Sequence, residues 1–176
     1  MVKILIVDDS LFQAAGLKKI LSGDYEVTVA QTADEGLAYA GSGDFSLILL
    51  DVVMPEMDGF TLLKKLQEEI ITRSVPVILI TSLADIESEQ RGLTLGAVDY
   101  ITKPFHPLIV KARVNTHIKL YQYRTQVEYQ SMTDQLTGIA NRRRHDLYSI
   151  TKWKEAGRLQ LPFSVCMFDI DHFKAY

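Results

Sequence analysis

The chain has 176 residues, 47% hydrophobic and 23% charged, with a formal net charge of −3. That is enough chain for one domain with a full core and a smaller second unit, in the ordinary composition range of globular proteins. The mildly acidic balance excludes a dominant nucleic-acid footprint, so no nucleic-acid partner is expected.

Short apolar runs at Lys3–Val7, Tyr25–Ala30, Phe45–Asp51, Val75–Thr81 and Val98–Ile101 read as strands. The first, third and fourth are almost continuously apolar, as parallel strands covered on both faces must be. Between them, 10–22, 32–41, 58–70 and 85–95 have helical spacing, with Leu11, Ala14, Leu17, Lys18 and Leu21 on one stripe. Ser10 and Thr32 sit where N-caps belong, and Gly23 and Gly96 where C-caps belong. The alternation specifies an α/β fold, a doubly wound five-stranded parallel sheet. From Pro107 to Met132 a long helix follows, its early stripe (Leu108, Val110, Val114, Ile118, Tyr121) expected to pack on the sheet. Its apolar content thins after Tyr121, too irregularly for a coiled coil by itself. A partial second α+β domain is then expected, with a helix through Lys154 and a strand in the run Phe163–Ile170. Cys166 in that run is the only cysteine, which excludes an intramolecular disulfide and fits a reducing compartment; a buried, inert thiol is expected. No apolar run approaches the ~20 residues of a bilayer span, and the N-terminus lacks a signal-peptide core. A cytoplasmic protein without a membrane segment is expected.

In a doubly wound sheet the functional site lies at the carboxyl ends of the strands. Asp8 and Asp9 end the first strand, Asp51 the third and Thr81 the fourth, and Lys103 follows the fifth. A lone Asp in such a place is more often a helix cap, and a lone Thr or Lys means nothing. Five reactive groups at strand ends outweigh those readings together. Three neighbouring carboxylates repel unless a hard cation relieves them, and Mg²⁺ suits carboxylates combined with phosphate oxygens and water. A carboxylate can also attack phosphorus and form an acyl phosphate, with an ammonium and a hydroxyl stabilising the charge. Asp8 and Asp9 then serve the metal, Asp51 is the nucleophile, Lys103 the cation and Thr81 the hydroxyl.

Ile-Val-Asp8-Asp9-Ser10, Leu-Asp51-Val-Val-Met-Pro55-Glu-Met-Asp58-Gly59, Ile-Thr81-Ser and Asp99-Tyr-Ile-Thr-Lys103-Pro104-Phe105 resemble the receiver domains of two-component response regulators, of flavodoxin-like fold, over residues 1–122. The resemblance implies that a histidine kinase phosphorylates Asp51. It implies that Asp9, Asp51 and the backbone carbonyl of Val53 bind Mg²⁺, with Asp8 holding the metal through water or a second contact. Thr81 and Tyr100 match the family's switch pair, and Lys103-Pro104 a bond that is usually cis. Pro55 and Gly59 are expected to shape the loop after Asp51, with Asp58 capping the next helix.

After a connecting helix at 123–132, residues 133–176 resemble the opening of GGDEF domains, the diguanylate cyclases, through Asp134-x-Leu-Thr-Gly138-x-x-Asn141-Arg142-Arg143 and Phe168-Asp169-Ile-Asp171-His-Phe-Lys174. By that resemblance Asp169 and the backbone of Ile170 are metal candidates, and Asp171 is structural. The chain contains no Gly-Gly-Asp/Glu-Glu-Phe sequence, so the fragment itself is expected to be inactive as a cyclase. The implied function is a phosphorelay response regulator controlling cyclic di-GMP synthesis, with GTP bound only by a full-length parent and a homodimer formed on phosphorylation. A stand-alone receiver acting through phosphorylation-dependent protein contacts is the alternative. Residues 133–176 match no helix-turn-helix or winged-helix pattern. Arg142 to Arg144 read as a solvated helix face.

Overall fold

The computed structural model describes residues 2–82, 86–130, 132–134 and 136–169. The chain forms two compact units, Met1–Val127 and Glu128–Tyr176. In the first, β1 (Lys3–Val7), β2 (Glu26–Ala30), β3 (Leu47–Asp51), β4 (Val77–Thr81) and β5 (Asp99–Thr102) alternate with α1 (Leu11–Leu21), α2 (Ala33–Ala40), α3 (Gly59–Glu68) and α4 (Ile86–Thr94), and α5 (Pro107–Gln130) follows. All four strand pairings are parallel, in the order β2-β1-β3-β4-β5. The order reverses between β1 and β3, where Val7 stands beside Leu50, so Asp8 and Asp51 emerge together at the switch point.

Alternation along the strands sorts the core into two layers. Ile4, Ile6, Leu47, Leu49, Ile78 and Ile80 point toward Ala14, Leu17 and Leu21 of α1 and Val110, Val114 and Ile118 of α5. Leu5, Val7, Ile48, Leu50 and Leu79 point to the opposite face, toward α2 and α3. Both β3 and β4 are buried throughout, which accounts for their unbroken apolar sequence.

The stripe on α5 is narrower than its sequence suggests. Val110, Val114 and Ile118 are buried, but Leu108 is 71% exposed because it lies two residues off that i, i+4 row. Leu11, in the first turn of α1, is likewise exposed, whereas Ala14, Leu17 and Leu21 are buried. Ser10, Thr32 and Asp58 accept from the amides of Gln13, Glu35 and Thr61 as N-caps. Gly96 has φ +101°, as a glycine past a helix end should. Gly23 does not: α1 closes on Ser22 in the right-handed region.

In the second unit, Thr133 and Ala140 form an antiparallel bridge around a turn in which the Asp134 carboxylate accepts from the Thr137 amide and hydroxyl. Asn141 caps α6 (Arg142–Leu159). Residues 161–169 form no strand, contrary to expectation: a strand needs a neighbour for its N–H and C=O groups, and the described residues offer none there. Cys166 is consequently exposed, not buried.

One glycine ties the fold to the site. A Cβ on Gly59 would collide with the Asp51 carbonyl oxygen and stand 2.8 Å from the Val52 Cα, both backbone atoms that cannot step aside. Nothing lies within 4 Å of a Cβ on Gly16, in the middle of α1. Gly59→Ala is therefore expected to cost about 3 kcal/mol in urea unfolding, while Gly16→Ala should stabilise by roughly 0.5–1 kcal/mol.

Candidate functional site

The strand ends deliver their side chains to one crevice. Asp8 and Asp51 are 1% and 4% exposed, Thr81 is 4% exposed, and Asp9 stands in solvent at the rim. The loop after β5 returns Lys103, whose amide donates to the Thr81 carbonyl at 2.8 Å. Its ammonium donates to Asp51 Oδ2 at 2.8 Å and lies 3.7 Å from Asp8 Oδ2. The Lys103–Pro104 bond is cis. Asp51 Oδ1 accepts from the Val53 amide at 3.3 Å and Asp8 Oδ1 from the Ser10 amide at 2.9 Å. Carboxylate oxygens of Asp8, Asp9 and Asp51 all lie within 4.8 Å of one another.

One ammonium cannot balance three carboxylates, and Asp8 Oδ2 is buried without a hydrogen bond. Burial pushes the Asp8 carboxyl above its ordinary range, against the lowering effects of the Ser10 amide and Lys103; the charges of Asp51 and Asp9 raise it further. An orphaned buried oxygen facing two more carboxylates is the donor set of a hard divalent cation. The cluster therefore fits a metal ion, with Asp8, Asp9 and Asp51 as ligands.

Tyr100 lies outside this crevice, between α4 and α5. Its hydroxyl hydrogen-bonds Glu89, which pushes the phenol pKa up, and the Arg113 guanidinium sits 6.0 Å from its ring centre. Beside it, the partly buried Asp99 accepts from Arg113, from His117 at 3.2 Å and from the Tyr100 amide at 2.8 Å. Burial raises the Asp99 pKa, but these hydrogen bonds outweigh it and hold the carboxyl below its ordinary value. Glu89, Arg113 and His117 were not singled out from the sequence, and Asp99 was read there only as part of the Lys103 motif. The available signal was the four-residue spacing of Arg113 and His117, which puts both on one face of α5.

Asp169 belongs to the second unit, among residues without regular structure, while Ile170 and Asp171 lie outside the described residues. The described residues of that unit form no cluster of three metal-ligating side chains with Asp169.

Because Asp99 has a depressed pKa, it stabilises the fold above the ordinary value of 3.8, and the contribution disappears as pH falls through the lower folded value. Asp99→Asn is expected to lower stability by about 2 kcal/mol at neutral pH, since it leaves Arg113 and His117 without their carboxylate. Urea unfolding should show that difference shrinking below the ordinary carboxylate value.

Family models match the chain in two places: the response regulator receiver domain over residues 4–115, and the diguanylate cyclase GGDEF domain over residues 131–176. The chain is 38% identical over 116 residues to a Vibrio cholerae protein named probable cyclic di-GMP phosphodiesterase, covering 66% of this chain and 26% of that one. It is 41% identical over 115 residues to the response regulator PleD of Caulobacter vibrioides, covering 65% and 25% respectively. The chain thus spans about a quarter of the length of these two relatives. The CheY-like receiver domain protein of Methanospirillum hungatei superposes with a TM-score of 0.66 at 33% identity, over 70% of this chain and 98% of that structure. A sheet in this strand order, an acidic crevice at its switch point and a receiver match over most of the first unit lead to one assignment: the chain belongs to the response regulator receiver family, with the start of a GGDEF domain behind the receiver.

Proposed function

We propose that Asp51 is the phosphoacceptor of a two-component phosphorelay and that its phosphorylation controls a diguanylate cyclase output in a longer protein. The observation that carries this is the Lys103 ammonium on Asp51 Oδ2 at 2.8 Å, beside the unsatisfied Asp8 Oδ2. In the reaction an Asp51 carboxylate oxygen attacks the phosphorus of a phosphohistidine on a histidine kinase. The P–N bond breaks, the imidazole keeps the electron pair, and an acyl phosphate forms on Asp51. Mg²⁺, held by Asp8, Asp9, Asp51 and the Val53 carbonyl, would supply charge neutralisation for the phosphoryl oxygens. Lys103, already on Asp51, moves to the phosphoryl group as the carboxylate is esterified. The Thr81 hydroxyl is the remaining donor at the strand ends.

Thr81 and Tyr100 act as the switch pair in this reading. Drawing Thr81 toward the phosphoryl group leaves space at the end of β4. Tyr100 is held in the alternative position by Glu89, so the two states differ by a small set of contacts. On α5, Leu120, Tyr123 and Val127 are 58%, 67% and 64% exposed at spacings of three and four residues, a seam suited to a second copy of the helix. Homodimerisation on phosphorylation follows, and a cyclase that needs two GTP-loaded domains facing each other would be controlled by it. Asp169 and the Ile170 backbone remain metal candidates of the longer protein, which alone would bind GTP. A cytoplasmic location is part of this reading; no helix among the described residues is long and apolar enough to cross a membrane.

Acetyl phosphate with Mg²⁺ should add one phosphoryl group by intact mass spectrometry, and Asp51→Asn should abolish it. Lys103→Ala is expected to retain Mg²⁺ binding but slow the uptake by at least about a hundredfold, as loss of an electrostatic stabiliser does. Sedimentation with a beryllofluoride phosphate mimic should shift the protein toward a dimer. Uptake by Asp51→Asn at the wild-type rate would overturn the reading.

A further inference from the structure

Helix α4 is held to the receiver by little apolar contact. Of its nine residues, all described, only Gly92 is buried, while Ile86 and Leu93 are 82% and 48% exposed. A Cβ on Gly92 would collide with Leu79 Cδ1, so the helix meets β4 through a position that has no side chain. Two polar side chains add to this hold. On the β5 flank, Glu89 accepts from the Tyr100 hydroxyl. On the α3 flank, the Arg91 guanidinium carbon stands 4.4 Å from the centre of the Phe60 ring. Residues two apart on a helix point in nearly opposite directions, so α4 is gripped from both sides. Phe60 is 5% exposed and follows Gly59, whose amide donates to the Val52 carbonyl at 2.9 Å. The Thr61 amide holds the neighbouring Asp58 carboxyl below its ordinary range, and the charge of Arg91 adds to that against the effect of burial. Arg91 thus seats α4 on the segment of chain that leaves Asp51.

Resting on Asp51 as phosphoacceptor with Thr81 and Tyr100 as its switch pair, we propose that the Arg91–Phe60 contact is autoinhibitory. It holds α4 in the resting position, which makes Arg91 a positioning residue for the chemistry at Asp51. The resting state is the one described here, with Lys103 on Asp51 and Tyr100 on Glu89. Switching takes Tyr100 away from Glu89 and so removes the grip on the β5 flank. Arg91 is then the polar grip that still opposes a displacement of α4. A contact made in one state biases the equilibrium by its own strength, which for a cation on an exposed ring face is about two- to fivefold. So small a bias suits a latch that phosphorylation must be able to overcome.

The test is a titration of the whole chain with beryllofluoride and Mg²⁺, followed by amide NMR. Arg91→Gln is expected to bind beryllofluoride about threefold more tightly than the wild type. Arg91→Lys should stay within about twofold of the wild type, because an ammonium can also take the ring face. With Phe60 already replaced by Leu, adding Arg91→Gln should change the affinity by less than about 1.5-fold, since the ring contact is gone. In ligand-free Arg91→Gln the amides of Glu89 and Gly92 should move toward their positions in the beryllofluoride-bound wild type, a signature that a merely structural role would not produce. Arg91 is exposed, so this variant should fold whether or not Phe60→Leu does. Affinity in Arg91→Gln that is equal to or weaker than the wild type's would overturn the latch and leave Asp51 as acceptor intact. Amides of α4 that do not move in that variant would overturn it as well. A wild-type chain that does not bind beryllofluoride at all would remove the acceptor reading and the latch together.

Discussion

The receiver is organised around carboxylates that the fold forces together and only partly compensates. Asp8 and Asp51 leave neighbouring parallel strands at the same level, so their separation is set by strand spacing and cannot relax. Burial raises the energy of each charged form, and a single ammonium answers both. The two apolar layers of the sheet supply the stability that offsets this local cost. The result is a crevice that gains free energy from added positive charge.

Much of this was legible in the amino-acid order because it follows from local rules. Strands β3 and β4 are covered on both faces, so they read as unbroken apolar runs, and their ends fall within two residues of expectation. The reactive residues stand out because doubly wound sheets gather chemistry at strand carboxyl ends, and Asp8, Asp51, Thr81 and Lys103 do come together there. Capping was legible at Ser10, Thr32 and Asp58, where one side-chain oxygen meets an amide three residues on.

What failed to show depends on partners distant in sequence. Leu11 and Leu108 look like core residues, but each sits in a first helical turn, rotated away from its buried row. The apolar run around Phe163 has strand composition and no strand to pair with among the described residues, and pairing is what makes a strand. The Asp99 network joins residues 14 and 18 positions apart, and nothing in Asp99's immediate neighbours announces it. Gly59 was expected to shape a loop. Its tighter role, lying flush on the Asp51 carbonyl, needs the third dimension.

That backbone-on-backbone contact divides the site into a stiff main chain and freer side chains. On the α3 side of Asp51 the main chain meets the main chain, with Gly59 N–H also held by the Val52 carbonyl at 2.9 Å, and no side chain there can turn to absorb a displacement. On the β4 side the main chain is paired too, with the Val52 N–H donating to the Ile80 carbonyl at 3.0 Å, while the Asp51 carboxylate meets the flexible end of Lys103. The backbone after Asp51 is therefore fixed on both flanks, and the freedom left at the site belongs to its side chains. Glycine at position 59 thus gives the end of β3 a fixed anchor, so that change at Asp51 is taken up by side chains and not by the main chain.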